Sequence, residues 1–432
     1  MESKQVVSPG PFTRLALEIL GLASELDKQL ASQSREPTSF WVDTLENLPA
    51  ETNATREKFI NKTHDAKRLA LGARGTLWEL GFQFTDEMTL RAIYDFRLAQ
   101  HVPLQGSATF DEVSQASKLD VLTVERILRQ AMASHIFSEA PGSPPGRVVH
   151  TAISRLLATD SDAFDSVGMI VHELAPICER LNDALRAQRD LPVDQRDEPT
   201  QAATAMVHGA GSTMFGVLGR DAARAARFGA GMRHFTRGVG WDVSHLVNEP
   251  VWAALDVPGA VLVDVGGSSG AVSCALAADT RHLRFVVQDL PDPAASGAGA
   301  LPHALASRVA FEVHDFFEPQ TRRGVDAFLL RWVLHNWSDK YALRILRALV
   351  PGMKHGTRVI INEYVLVDGP ETRLSRKQHR NLDLVMLAVW NSPERTVAMW
   401  RELIEAVDPR LQFLGARQPE GSLLGVIEAV WN

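Results

Sequence analysis

The sequence predicts an α/β protein. A parallel β-sheet covered on both faces and closed by an antiparallel hairpin follows a mainly helical N-terminal part containing a winged helix. Three observations carry this. From about residue 260, short apolar runs alternate with helical segments: VLVDV (261–265), RFVVQ (284–288), RVAFEV (308–313), VDAFLLR (325–331) and RVIINEYV (358–365). Strands so uniformly apolar are buried on both faces, as in parallel sheets. The chain then ends in RLQFLGARQPEGSLLGVIEAVW, which reads as strand, Gly/Pro turn, strand. Finally, residues 85–140 read as helix, short helix, helix, wing.

At 432 residues the chain exceeds one ordinary core. The changes of pattern divide it into a helical segment (1–80), the winged helix (81–155), a helical linker (156–250) and the sheet domain (251–432). Apolar residues make up 45% and charged residues 22%, the balance of a soluble globular protein. A net charge of −7 gives no footprint for nucleic acid. Two cysteines, Cys178 and Cys274, build neither a disulfide framework nor a zinc motif and suit a reducing cytoplasm. The start, MESKQVVSPGPF, lacks a signal pattern, and no run reaches the roughly 18 apolar residues of a membrane span. The sequons at Asn53, Asn61 and Asn336 are therefore read as chance matches.

Residues 11–33 and 54–80 carry apolar positions at helical spacing and read as packing or dimerisation elements. TDEMTLRAIYDFRLAQ is an amphipathic helix. TFDEVSQAS is a short second one, with Thr109 at the N-cap and Glu112 at the capping-box position. DVLTVERILRQAMASHIF is the third and runs into SEAPGSPPGRVVHT, the turn of a two-stranded wing. A winged helix serves DNA binding or dimerisation. Asp120 and Glu125 offset Arg126 and Arg129 on the third helix, whereas phosphate contacts demand cations. A DNA-binding regulator is thus the weaker reading. Further on, FGAGMRHFTRG sets Phe228, Met232, His234 and Phe235 at helical spacing, a stripe that reads as core before it reads as a ligand box.

VLVDVGGSSGAVSCALA combines a buried strand, a glycine turn and a helix start. Gly266, Gly267 and Gly270 permit positive φ and close approach of a ligand. The helix start offers unpaired N–H groups. The spacing is neither the dinucleotide fingerprint nor a Walker loop. VVQDLP puts Asp289 at the end of the second strand, where a carboxylate suits a ribose diol. VHDFFEP sets Asp315 and Phe316 at the end of the third, an acceptor beside an aromatic ring that suits adenine. Together they point to a nucleoside cofactor at the carboxyl edge of the sheet.

DAFLLRWVLHNWSDKYALRIL holds His335 between two tryptophans, just after a buried strand. Alone, this histidine can be packing, a metal ligand or a proton acceptor. The 14 histidines are scattered and form no H-E-x-x-H or Cys/His cluster, so no metal is expected.

Taken in order, VLVDVGGSSG, VVQDLP, HDFF, LLRWVLHNWSD, IINEYVL, LDLVMLAVW and ERT resemble the small-molecule O-methyltransferases of the plant caffeate/flavonoid type and their fungal secondary-metabolite relatives. The resemblance implies a Rossmann-like methyltransferase sheet, S-adenosylmethionine (SAM) as cofactor, and a winged helix used for homodimerisation. It implies cofactor contacts from Gly266, Gly267, Asp289, Leu290, Asp315, Phe316, Arg331 and Thr236. His335 falls at the catalytic base, with Glu363 and Glu394 as the carboxylates flanking it. Phe228, Met232, Trp332, Met386 and Trp390 fall at acceptor-pocket positions, under a roof formed by the helical linker. Two departures stand out: Asn336 replaces the usual Asp after the base, and Trp390 stands where plant enzymes often carry a smaller polar residue.

The implied chemistry is coherent. A phenol with a pKa of about 10 is mostly protonated at neutral pH. A neutral imidazole can take its proton during attack, and a carboxylate on the other ring nitrogen fixes the tautomer. The expected reaction is methyl transfer to a hydroxyl of a phenolic or polyketide-like small molecule. The competing expectation is a non-methylating, pericyclase- or dehydratase-like enzyme that keeps SAM bound on the same fold.

Overall fold

The computed structural model describes residues 9–432 except 141 and 143–145. The chain divides into two compact units. One takes in the chain up to Ala175 with Asp221–Arg237 and Arg373–Arg376. The other takes in Pro176–Arg220, Gly238–Thr372 and Lys377–Asn432.

In the first unit, α1 (Pro11–Ser32) and α2 (Ala50–Gly81) lead into α3 (Gln83–Asp95). Gly72 interrupts α2 at φ +63°, a conformation that costs glycine little. The winged helix follows: β1 (Ala108–Thr109), α4 (Phe110–Ser117), α5 (Val121–Ala133), β2 (Phe137–Glu139) and β3 (Arg147–His150). The predicted capping box forms: Thr109 Oγ1 accepts from Glu112 N, and Glu112 Oε2 accepts from Thr109 N. The strands form a sheet in the order β1-β3-β2 around a core of Ile93, Leu98, Val124, Leu128 and Phe137. The tip of the predicted wing lies outside the described residues. Next come α6 (Ala152–Thr159) and α7 (Ser161–Gly168), which continues into a π-helical turn at Met169–Leu174. Against them packs α8 (Ala222–Phe235), held by Arg224 and Arg227 on the fully buried Glu173. A Cβ on Gly231 of α8 would meet Met169 Cβ at 2.8 Å, so glycine there sets the close approach of the two helices.

The second unit is built on a seven-stranded sheet, order β11-β12-β8-β7-β4-β5-β6. The strands are β4 (Val261–Val265), β5 (Arg284–Asp289), β6 (Val309–Val313), β7 (Val325–Arg331), β8 (Met353–Glu363), β11 (Leu411–Arg417) and β12 (Gly425–Trp431). All neighbours are parallel except β12, which runs antiparallel to both β8 and β11. This is the parallel sheet with a terminal hairpin that the apolar runs predict. Helices α9 (Ala271–Asp279), α10 (Pro291–Ala300), α11 (Asp339–Leu349), α12 (Leu374–Trp390) and α13 (Val397–Glu405) accompany it. Two apolar clusters pack the sheet, one around Phe328, Leu346 and Trp400, the other around Trp252, Leu276 and Phe285.

One predicted strand divides. RVIINEYV ends its pairing with β12 at Glu363. Beyond buried Tyr364, β9 (Val365–Leu366) pairs with β10 (Arg395–Thr396) in a separate two-stranded sheet. That short pairing carries Glu394 and Arg395 to the end of β8. Among the described residues no helix is long and apolar enough to cross a membrane.

Candidate active site

The glycine turn leaves β4 with Gly266 at φ +68° and Ser268 at φ +52°, and reaches α9 through Gly270 at φ +73°. The N–H groups of Gly266 and Gly267 donate to Gln288 O on β5 at 2.8 and 3.3 Å. A side chain is excluded at Gly267. A Cβ on Gly267 would lie 2.6 Å from Asp264 Cγ and 2.8 Å from Val287 Cγ1. Asp289 sits at the end of β5, accepting Ser268 N–H on Oδ2 at 2.8 Å and Leu290 N–H on Oδ1 at 2.7 Å. Each oxygen keeps acceptor capacity for a ligand. Leu290 itself is exposed. After β6, exposed Asp315 accepts Phe317 N–H at 2.9 Å, while the edge of the Phe316 ring lies 3.6 Å from where a Cβ on Gly266 would stand.

Beneath the turn, Asp264 is buried and accepts the Ser273 hydroxyl at 2.6 Å. Burial raises its carboxyl to about 6, partly offset by that hydrogen bond and by the charge of Arg331. Arg331 ends β7 and donates from Nη1 to Asn362 Oδ1 at 2.7 Å and from Nη2 to Trp241 O at 3.0 Å. Its charge thus stands among the groups behind the glycine turn.

Trp332 follows at φ +58°, the left-handed region that a bulky residue rarely takes. Its ring meets Trp241 edge-on at 4.8 Å and lies 5.3 Å from the His335 ring. The turn it opens, Leu334–Asn336, is 3₁₀. Glu363, at the end of β8 and wholly buried, accepts three backbone N–H groups: Val333 at 3.0 Å and Leu334 at 2.7 Å on Oε1, and His335 at 2.9 Å on Oε2. The His335 ring is held instead by Glu394, whose Oε1 lies 2.9 Å from Nδ1. That bond places the Nδ1 proton toward the carboxylate and leaves Nε2 as the acceptor in the neutral ring. His335 is 6% exposed and Glu394 2%. Burial alone would lower the imidazole pKa. Glu394, by charge and hydrogen bond, and Glu363, by charge, outweigh it and raise the value above 6.5. For Glu363, burial dominates and raises the carboxyl above its ordinary range.

The two clusters are neighbours. Val333 Cγ2 would lie 3.0 Å from a Cβ on Gly266, so the histidine turn abuts the glycine turn. Met386 is buried on α12, and Trp390 at its end lies 6.3 Å from the Phe215 ring. Phe228, Met232 and Thr236 belong to the first unit, on or just after α8. There the Thr236 hydroxyl donates to Met232 O at 2.9 Å.

Several residues at the site drew no role from the sequence, although Asp383 lies within LDLVMLAVW and Arg395 within ERT. Ser392 Oγ donates to His335 O at 2.6 Å, Asp383 Oδ1 accepts Glu394 N–H at 3.0 Å, and Arg395 holds carbonyl groups of the histidine turn. Arg395 sits beside Glu394 in ERT, yet adjacency alone does not reveal which backbone its fork reaches. His335, Glu363 and Glu394 also have the donor composition of a metal site, with one atom of each within 4.8 Å of the others. In this structure those atoms are engaged with the protein: three backbone N–H groups bond the Glu363 oxygens, and His335 Nδ1 bonds Glu394 Oε1.

A parallel sheet with a terminal hairpin, a glycine turn with an acidic strand end beside it, and a buried His–Glu pair at the same edge define a methyltransferase architecture. Residues 188–407 match the O-methyltransferase domain model and residues 78–160 the O-methyltransferase dimerisation domain model. The chain is 34% identical over 398 residues to the chlorophenol O-methyltransferase of Trichoderma longibrachiatum, covering 90% of this chain and 83% of that one. The crystal structure of OxaC superposes with a TM-score of 0.77 at 19% identity, covering 98% of this chain and 99% of that one. A structure described as a pericyclic reaction enzyme gives 0.74 at 19% identity, covering 96% and 100%. At such identities these two likenesses show the fold alone. The chain belongs to the O-methyltransferase family and is an S-adenosylmethionine-dependent enzyme. The site fits that cofactor: a glycine turn that keeps the backbone open to close approach, partly free carboxylates at two strand ends, and an aromatic ring beside the turn.

Proposed function

We propose that this enzyme methylates a hydroxyl of a phenolic or polyketide-like small molecule, with His335 as general base. The observation that carries the proposal is the 2.9 Å bond between His335 Nδ1 and Glu394, which leaves Nε2 as a buried proton acceptor. SAM supplies a methyl group on a positively charged sulfur. His335 takes the hydroxyl proton on Nε2 as the oxygen attacks, a contribution of about 10²–10⁴-fold. Glu394 orients the ring and stabilises the imidazolium. The buried cluster favours this proton transfer. As ionised groups, Glu363, Glu394 and Arg395 sum to one negative charge, which the imidazolium neutralises.

Gly266, Gly267, Asp289, Leu290, Asp315 and Phe316 hold the cofactor in this reading, with Arg331 behind the loop and Thr236 contributing its hydroxyl. Trp332, Met386 and Trp390 of the sheet unit wall the acceptor in this reading, and the family resemblance assigns Phe228 and Met232 to acceptor contact as well. The chlorophenol specificity in the name of the Trichoderma relative supports a phenolic acceptor here. The helical linker is assigned as the substrate roof, and the winged helix as the centre of a cytoplasmic homodimer. Exposed Leu77, Trp78, Phe82 and Phe84 in the first unit support the dimer.

Methyl-labelled SAM incubated with a panel of phenols tests the proposal. Label should appear in an ether product with S-adenosylhomocysteine in equal amount. Conversion of an acceptor without S-adenosylhomocysteine would point to the non-methylating reading instead.

A further inference from the structure

The turn carrying His335 is gripped on both edges. Glu363 takes its N–H groups from Val333 to His335. On the carbonyl edge, Arg395 Nη1 donates to Leu334 O at 3.0 Å, Nη2 donates to Trp337 O at 2.8 Å, and Ser392 Oγ donates to His335 O at 2.6 Å. Arg395 is wholly buried. Its guanidinium carbon lies 5.1 Å from the Trp400 ring, and its Nε reaches Asp339 Oδ1 at 2.9 Å. Burying a guanidinium is costly unless it is fully engaged, and this one is engaged by Asp339, which Nη2 also approaches at 2.8 Å, and by two carbonyls of the base's own turn. A lysine could not replace it, because a point charge lacks the planar fork that reaches two carbonyls at once.

We propose that Arg395, with Ser392, is a positioning residue for methyl transfer, fixing the carbonyl edge of the turn so that His335 Nε2 stays at its working position. The inference rests on the reading of His335 as base. The geometry required is narrow, since a displacement of about 1 Å in an aligned site costs on the order of 100-fold in rate. The guanidinium also faces the imidazole electrostatically and opposes Glu394 and Glu363, which face it as well. Geometry and charge therefore make separable predictions.

The test compares Arg395→Lys, Arg395→Met, Ser392→Ala and His335→Gln in the full chain. The probes are a chlorophenol and other phenols as acceptors, with SAM affinity measured by calorimetry. Arg395→Lys keeps a charge and loses the fork. It should lower kcat at least tenfold while KM for acceptor and SAM affinity stay within about threefold. Arg395→Met should lose at least as much, and its kcat–pH midpoint should move upward, because only this variant removes the cation. Activity within twofold of wild type in Arg395→Lys overturns the inference. If Arg395→Lys does not fold, Ser392→Ala decides: a kcat at least threefold lower with unchanged KM supports the inference, and an unchanged kcat overturns it. Hydrogen exchange over residues 332–338 requires no acceptor. It should quicken in Ser392→Ala, and unchanged exchange overturns the inference even where no phenol is turned over. His335→Gln separates the two levels. Full activity there removes the base reading, whereas activity lost there but kept in Arg395→Lys and Ser392→Ala removes only this inference.

Discussion

His335 and its two carboxylates divide labour in a way their residue types do not announce. The resemblance pairs Glu363 and Glu394 as flanking partners of the imidazole. Only Glu394 hydrogen-bonds the ring, while Glu363 serves the backbone that carries it. Substitution should separate them. Glu394→Gln removes the charge that stabilises imidazolium and should cut kcat by about 10²-fold, with folding intact. Glu363→Gln turns an NH₂ toward backbone donors and should cost about 1–3 kcal/mol of stability, read by denaturant unfolding. The pH profile has a defined sign. A base works deprotonated, and the carboxylates raise the imidazole pKa, so kcat should rise with pH through a midpoint above about 6.5. In Glu394→Gln that midpoint should fall. Asn336, the departure from the family pattern, donates from Nδ2 to Trp332 O at 3.2 Å and Val333 O at 3.4 Å. A carboxylate cannot donate those bonds. Asn336→Asp should therefore lower stability by about 1 kcal/mol and slow turnover, measured by thermal unfolding and initial rates.

At the scale of elements, the functional edge of the sheet follows from apolar strands that end in polar residues. Asp289 at the end of β5, Asp315 after β6, Arg331 at the end of β7 and Glu363 at the end of β8 all sit on the carboxyl side. Periodicity and strand ends made that edge legible, because buried strands and glycine turns leave strong local patterns. The contents of the histidine turn were not legible. Trp332 at positive φ has no local signature, and Arg395 and Ser392 reach the turn through long-range contacts beside the β9–β10 pairing. The glycine turn offers the sharpest element-level prediction. Gly267→Ala would press a methyl group onto Asp264 and Val287. Cofactor affinity should fall more than tenfold by calorimetry, while the winged helix keeps its own fold.

At the scale of the whole molecule, two units share one chain, and the sequence crosses between them at Ala175, Arg220, Arg237, Thr372 and Arg376. Phe228, Met232 and Thr236 lie on or beside α8, which belongs with the dimerisation unit, whereas the base and the glycine turn belong to the sheet unit. Local periodicity marks α8 as helical but does not say which unit claims it. The buried Glu173–Arg224–Arg227 cluster makes that assignment. Light scattering should report twice the chain mass. The account's central claim, that His335 is the base of a methyl transfer to a hydroxyl, is tested most directly by one measurement: single-turnover transfer from methyl-labelled SAM to a phenol that the wild type methylates, with wild type and His335→Gln compared at equal cofactor saturation. The prediction is a labelled ether from the wild type and a rate at least 100-fold lower from the variant. A rate within a few-fold of wild type in His335→Gln would contradict it.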